Sequence, residues 1–436
     1  FSDLGVDEAG CTGYPDRTGA FVTAKACKVR GAYSRQAFAN QEAKIVSAIN
    51  ALGADVVALE EIENPVAVGV GSDRDAALAR LVTALNEALG SDVWAYVPSP
   101  PTIPAGEDVI RVAFIYKTAA VTPVGDSVIH DDAAFSGLAR QPLAQEFARR
   151  TTERASAPSF VVIANHFKSK GSVPEGAGEG NTDSGDGQGN ANAIRVAQAS
   201  SLASFAARYA DKPTLLVGDF NSYSQEDPIK TIEGAGWERV SGSGEPSYVY
   251  AGRSGSLDHV FANAAATPLV AGVTSWAVNA QESIAFEYSR AGMNAHLAVE
   301  AEDPYRSSDH NPEIIGLRLL EGAPTPGDEP VPAVTPGPET GTTPTPATSP
   351  TPATSPAPAG PRPHSATTSA PRVTTRAATA SSRGKRPENR ASPASARALA
   401  RTGASAELAI GAGFLLALAG LAARGAACRR LGAPQR

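Results

Sequence analysis

The sequence predicts a mixed α/β domain over residues 1–320, with helices covering sheets built from many short strands. Three observations predict it. Apolar residues recur at helical spacing in stretches that end at glycine. Between them lie short apolar runs bounded by turn residues. A composition break near residue 321 leaves both patterns on its N-terminal side, because Pro, Thr, Ala and Ser dominate beyond it.

The elements follow in order. Ser34 is placed to cap a helix over 35–52, where Ile45, Ile49 and Leu52 form an i, i+4, i+7 stripe and Gly53 stops it. Residues 55–59 read as a short buried strand. A second helix over 73–89 carries Leu78, Leu81, Val82, Leu85 and Leu89 and ends at Gly90. Strands are expected at 93–97, 110–117, 143–147 and 159–165, a helix at 190–209, and a strand at 214–218. Further strands are expected at 247–250, 257–262, 271–278 and 313–319.

Charge divides where composition does. The chain has 436 residues, 38 Lys/Arg and 45 Asp/Glu. Residues 321–436 hold 13 and 6 of these, which leaves 25 and 39, a net of −14, for residues 1–320. Such a domain does not grip nucleic acid by bulk electrostatics. It can still cleave phosphodiesters if bound cations supply the positive charge. The chain opens on Phe1 and its one methionine is Met293, so no leader is legible. Cys11 and Cys27 either form a disulfide, if the domain is exported, or stay free thiols. Cys428 reads as reduced and incidental.

Residues 321–405 read as a disordered stalk with two copies of Pro-Ala-Thr-Ser-Pro, at 346–350 and 352–356. The stretch 171–190 is Gly-rich and carries Glu175, Glu179, Asp183 and Asp186, but without the spacing of a twelve-residue calcium loop, and reads as solvated. The tail runs Leu399-Ala400-Arg401-Thr402-Gly403, then a hydrophobic segment over 406–424, then a basic tail over 425–436. Its apolar core is short for a full span, which needs about twenty residues, and the trailing arginines favour the cytoplasm. The layout resembles a Gram-positive cell-wall sorting signal of the actinobacterial Leu-Ala-X-Thr-Gly variety. That resemblance implies cleavage between Thr402 and Gly403 by a sortase and attachment to peptidoglycan, with the membrane holding the precursor. The alternative is an ordinary C-terminal membrane anchor. Both place the folded domain outside the cell.

Five stretches carry chemistry. They are Leu59-Glu60-Glu61-Ile62-Glu63-Asn64, Asn165-His166-Phe167-Lys168-Ser169-Lys170-Gly171, Gly218-Asp219-Phe220-Asn221, Leu257-Asp258-His259 and Ser307-Ser308-Asp309-His310-Asn311-Pro312. Each puts polar residues at the end of an apolar run, or just before one, where side chains leave a sheet and can converge. Glu61, Asp219, Asn221, Asp258 and Asp309 are oxygen ligands suited to Mg²⁺, Mn²⁺ or Ca²⁺. His166 and His310 can transfer protons near neutral pH. Lys168 and Arg140 can meet phosphate oxygens. With no cysteine ligands, zinc fits poorly. Singly, each stretch also reads as a turn, a strand-end pair or a solvated charge run.

As a set they resemble the endonuclease/exonuclease/phosphatase superfamily, the fold of pancreatic-type deoxyribonuclease, and more narrowly its bacterial extracellular nuclease branch, with Gly185-Asp186-Gly187-Gln188-Gly189 as a further shared motif. The resemblance covers residues 30–320. It implies a four-layer α/β sandwich of two packed mixed sheets flanked by helices, followed here by the stalk and a C-terminal hydrophobic helix. It implies that Glu61 binds the divalent cation with Asp309 near it, and that Asp219 and Asn221 orient the attacking water and hold the phosphate. Asp258 would align His310, His166 would donate to a phosphate oxygen or leaving group, and Arg140 would contact phosphate. The family's first strand carries an active-site Asn. The match begins after it, with Phe1 at its end, so an incomplete sheet edge and weakened activity are expected. Where some members orient the first histidine with Glu, Ile110 stands here, and Asp108 is the available substitute.

The function expected is a secreted, wall-anchored, divalent-metal-dependent nuclease on extracellular DNA or RNA, acting as a monomer, with Mg²⁺ or Mn²⁺ as cofactor and Ca²⁺ as an alternative structural ion. A nucleotide phosphatase or lipid phosphodiesterase on the same scaffold is the competing enzyme reading, and an inactive surface adhesin the third. The net charge favours small substrates. The Lys168/Lys170 pair favours DNA, and the absence of an aromatic-rich insertion disfavours lipid.

Overall fold

The computed structural model describes residues 1, 11–16, 18–25, 27–150, 158–242, 246–290 and 303–319. The expected stalk, the expected sorting pentapeptide with Thr402 and Gly403, the hydrophobic segment and the basic tail lie outside them. Among the described residues no helix is long and apolar enough to cross a membrane.

The strands are β1 Thr12–Pro15, β2 Phe21–Lys25, β3 Val56–Glu63, β4 Trp94–Tyr96, β5 Ile110–Lys117, β6 Val121–Ile129, β7 Arg140–Arg149 and β8 Ser159–His166. They continue with β9 Thr214–Asp219, β10 Glu238–Arg239, β11 Tyr248–Tyr250, β12 Arg253–Gly255, β13 Asp258–Ala262, β14 Val270–Ser275 and β15 Glu313–Leu317. The helices are α1 Arg35–Ala51, α2 Pro65–Val68, α3 Ala76–Leu89, α4 Asn192–Ala206 and α5 Asp227–Gly234. Ser34 caps α1 by accepting from the Ala37 amide, and α3 ends at Gly90 in the left-handed conformation, as the sequence led us to expect.

A six-stranded sheet runs β10-β13-β9-β8-β7-β6, and a three-stranded sheet runs β3-β5-β4. Three apolar clusters stack these into four layers. Val46 and Ile49 of α1 and Leu78, Leu81 and Leu85 of α3 meet Ala113 and Ile115 on one face of the small sheet. Its other face presents Val112 and Phe114 to Leu143, Phe147, Phe160 and Val162 of the large sheet. The far face of the large sheet packs Val161, Ile163, Leu216 and Phe261 against Leu202 and Phe205 of α4 and Ile229 and Ile232 of α5. The middle of β5, Val112-Ala113-Phe114-Ile115, therefore reads as an unbroken apolar run because both its faces are covered. Each buried Phe at these interfaces contributes about 2–3 kcal/mol.

The large sheet is mixed through one parallel pair, β8 with β9. The small one departs from expectation. It is wholly antiparallel, and a separate antiparallel pair, β14 with β15, packs over the inner face of the large sheet, meeting Leu215 and Val260. The backbone of Phe1 bonds to that of Glu61 and Glu63 at the edge of β3. Cys11 and Cys27 are joined in a disulfide that closes the β1–β2 hairpin.

Candidate active site

Strand register assembles the site. Arg140 lies opposite His166, His166 opposite Asp219, and Asp219 opposite Asp258, so four residues from β7, β8, β9 and β13 form one row across the large sheet. Directly opposed residues share a face. The row continues the inward-facing positions Ala164, Val217 and Val260 to the end of the sheet, where it meets the facing layer.

His310 enters from the loop before β15 and bridges to Tyr248. Its Nδ1 is 2.7 Å from Asp258 Oδ2, and the Ser247 hydroxyl donates to the same oxygen at 2.6 Å. Burial opposes the imidazolium, but Asp258 first, then Asp219 and Asp309, outweigh it and hold His310 well above the usual histidine range. His166 is opposite in character. Burial, then the charges of Arg140 and His310, push it well below that range, so it is neutral. Arg140 lies along the His166 ring, its Nε donating to Nδ1 at 3.1 Å and its terminal nitrogen against Nε2, and that Nε2 is 3.4 Å from Asp219 Oδ2. Asn221 holds both oxygens of Asp219, donating from its backbone amide at 2.6 Å and from Nδ2 at 2.9 Å. Burial pushes the Asp219 carboxyl up to about 7, with His310 opposing and Asp258 adding to the rise.

The facing sheet supplies glutamates. Register shifts between Leu59 and Ile62, where β3 carries one residue more than β5. Glu61 sits at that bulge with φ 58°, and Glu60 keeps the inward alternation of Val56 and Ala58. Glu60 is half-buried, and its desolvation together with Asp258 and Asp219 raises it well above the carboxylate range. The carboxylate of Glu61 is 62% exposed and 3.7 Å from Arg140. The motif thus delivers two carboxylates where the sequence reading used one. Gly218 makes the approach possible. At φ 125° a Cβ there would lie 2.1 Å from the Asn165 carbonyl oxygen and 2.9 Å from Glu60 Oε1.

Other expectations fall differently. Asp309 is exposed beside His310. Lys168 is buried and its ammonium bonds Ser172 at 3.2 Å, whereas Lys170 is the lysine on which the Asp219 charge acts, and it is paired with Glu226 and 4.5 Å over the Tyr223 ring. Asp108 accepts from the Val109 amide, and Arg140 and Asp219 flank His166 in its place. His259 faces the outer core, with Nε2 donating to the Ser222 carbonyl at 2.8 Å. Buried Arg195 ties the 185–190 loop to the Asp219 turn through Gln188 O, Asn190 O and Ser222 Oγ. Sequence reasoning missed Glu60, Arg195, Tyr223, Tyr248 and Tyr250. The two-residue spacing of Tyr248 and Tyr250 in an expected strand was a usable signal.

Among the described residues no three His, Cys, Asp or Glu side chains are arranged to hold a metal ion. The chemistry of the donor set still fits one. Glu60, Glu61, Asp219, Asp258 and Asp309 gather around Arg140 and the His310 imidazolium, the nearby Lys170 and Arg195 being paired with Glu226, and two of these carboxyls are raised by crowding and burial. A hard, oxygen-liganded divalent cation is what such a set accommodates.

The family model described as "Endonuclease/Exonuclease/phosphatase family" matches residues 29–310. The chain is similar to a functionally unknown conserved protein from Enterococcus faecalis V583, at 13% identity over 64% of this chain and 91% of that one, with TM-score 0.40. It is similar to an endonuclease/exonuclease/phosphatase from Bacteroides vulgatus at 15% identity, 64% and 91% coverage and TM-score 0.39. It is also similar to a Bacteroides thetaiotaomicron mannosyl-6-phosphatase at 12% identity, 65% and 92% coverage and TM-score 0.38. A search of curated proteins found no match.

Proposed function

The chain belongs to the endonuclease/exonuclease/phosphatase family of phosphoester hydrolases, and from that premise we propose that it is a divalent-metal-dependent nuclease acting on DNA outside the cell. The row Arg140-His166-Asp219-Asp258, closed by His310, is the observation that carries the catalytic part of this reading. Arg140 and the His310 imidazolium are the positive groups available to a phosphate. His310 keeps its proton through Asp258 and can give it to a phosphoryl oxygen as negative charge builds there. Asp219, fixed by Asn221, is the inward carboxylate able to receive a proton from an attacking water. The cation is proposed on Glu61, with Asp309 near it, and when bound it supplies charge neutralisation. The shared motifs at 165–171 and 185–189 support DNA as substrate. The Cys11–Cys27 disulfide supports an exported, oxidising location, consistent with wall anchoring through Thr402. A nucleotide phosphatase is the second reading, favoured by the net charge of −14 over residues 1–320.

The test is nicking of supercoiled plasmid with Mg²⁺ or Mn²⁺, with EDTA, and with His310→Ala. Cleavage that EDTA abolishes and the variant lowers by about 10²–10⁴-fold is expected. Intact plasmid alongside phosphate release from nucleotides would replace the nuclease by the phosphatase.

A further inference from the structure

The hairpin β11–β12 carries a tyrosine row that the catalytic reading does not use. Tyr248 and Tyr250 stand on one face of β11, their rings 10° from parallel with centroids 6.3 Å apart. Opposite them in register are Gly255 and Arg253. A Cβ on Gly255 would lie 2.6 Å from the Tyr223 ring, so the missing side chain is the space that Tyr223 fills. None of these tyrosines belongs to an apolar core cluster, and Tyr250 is 59% exposed. The row begins at the reacting groups, because the Tyr248 and His310 rings lie 4.5 Å apart. It is flanked by cations, with Lys170 over Tyr223 at one end and exposed Arg253 across from Tyr250 at the other.

We propose that this row is a stacking platform for unpaired nucleobases, so that the preferred substrate is a single-stranded or frayed nucleic acid whose bases lie on Tyr248 and Tyr250 while its phosphate reaches His310. The proposal rests on the nuclease reading and narrows it. An exposed Tyr250 ring and a half-buried Tyr248 ring beside cations match a strand with π-faces and phosphates, and only an unpaired base offers both its faces. A lipid surface is a poorer occupant. The hairpin Tyr248-Val249-Tyr250-Ala251-Gly252-Arg253-Ser254-Gly255 has one aliphatic side chain larger than alanine, and each ring ends in a hydroxyl.

Binding of the full chain, with Mg²⁺, to a fluorescent phosphorothioate oligothymidylate and to its abasic counterpart tests the platform apart from turnover. Tyr250→Ala is expected to weaken binding of the base-bearing strand by about tenfold or more. Tyr250→Phe, which keeps the ring, should bind within about twofold of the parent, and neither change should alter binding of the abasic strand. Equal binding of both strands, no effect of Tyr250→Ala, or Tyr250-dependent binding to phosphatidylglycerol vesicles in place of the strand would overturn the proposal. Tyr250-dependent strand binding without plasmid nicking would leave the platform and remove the nuclease. Nicking without a Tyr250 effect would do the reverse.

Discussion

Two histidines a short distance apart are held in opposite protonation states, and the difference lies in their neighbours. His310 faces carboxylates and stays charged, whereas His166 is buried under Arg140 and stays neutral. Asp258 is therefore a positioning residue with electrostatic consequence. Asp258→Asn should lower turnover by about 10²-fold or more while leaving the thermal midpoint nearly unchanged, as steady-state kinetics beside a melt would show. Gly218→Ala should act the other way. Its methyl meets the Asn165 carbonyl in a backbone region that side chains avoid, so we expect a loss of about 3 kcal/mol or more by urea unfolding. His259 gives a pH signature. Burial lowers it from 6.5 to about 4, so between these values the unfolded chain binds the extra proton. Stability should therefore fall as pH drops from 6.5 through 4, by up to about 3 kcal/mol. His259→Gln should flatten that limb in an unfolding series across pH.

At the scale of elements, the helix stripes, the apolar run of β5 and the polar ends of β8, β9 and β13 were legible in the sequence, because period and placement speak directly there. Strand β6 was not. It is an edge strand containing Pro123 and Gly125, residues that interrupt a strand pattern and that a sheet edge tolerates. The choice between Glu60 and Glu61 was not legible either. Alternation selects one face for each, and the bulge that brings both to the site appears only through pairing with β5. Lys168 misled for a related reason. Proximity to His166 in sequence did not carry past the strand end, where the chain turns the ammonium to Ser172. The β1–β2 hairpin offers an elementary test. Its disulfide spans 16 positions, so Cys11→Ser with Cys27→Ser should cost about 3 kcal/mol, read as a lower thermal midpoint.

For the whole molecule, the site is where the two sheets confront each other with carboxylates, among them Glu60 from one and Asp219 and Asp258 from the other. Folding compresses those charges, and Glu60 and Asp219 carry the strain as raised proton affinity. A divalent cation that binds the folded state alone should therefore stabilise it by about 2.7 kcal/mol at a hundredfold excess over its Kd, and so raise the thermal midpoint. Differential scanning fluorimetry with Mg²⁺, then excess EDTA, should show that rise and its reversal. The row across β7, β8, β9 and β13 also fixes when the protein becomes competent. No local segment contains the site, and the four members of its row come from four strands joined by three separate pairings. A chain with its helices formed but one pair slipped by a residue would present the opposite faces and hold no machinery at all. The enzyme is in this sense its own proofreader: on refolding, helical signal should return before catalysis, and the lag between them times the closing of the last strand.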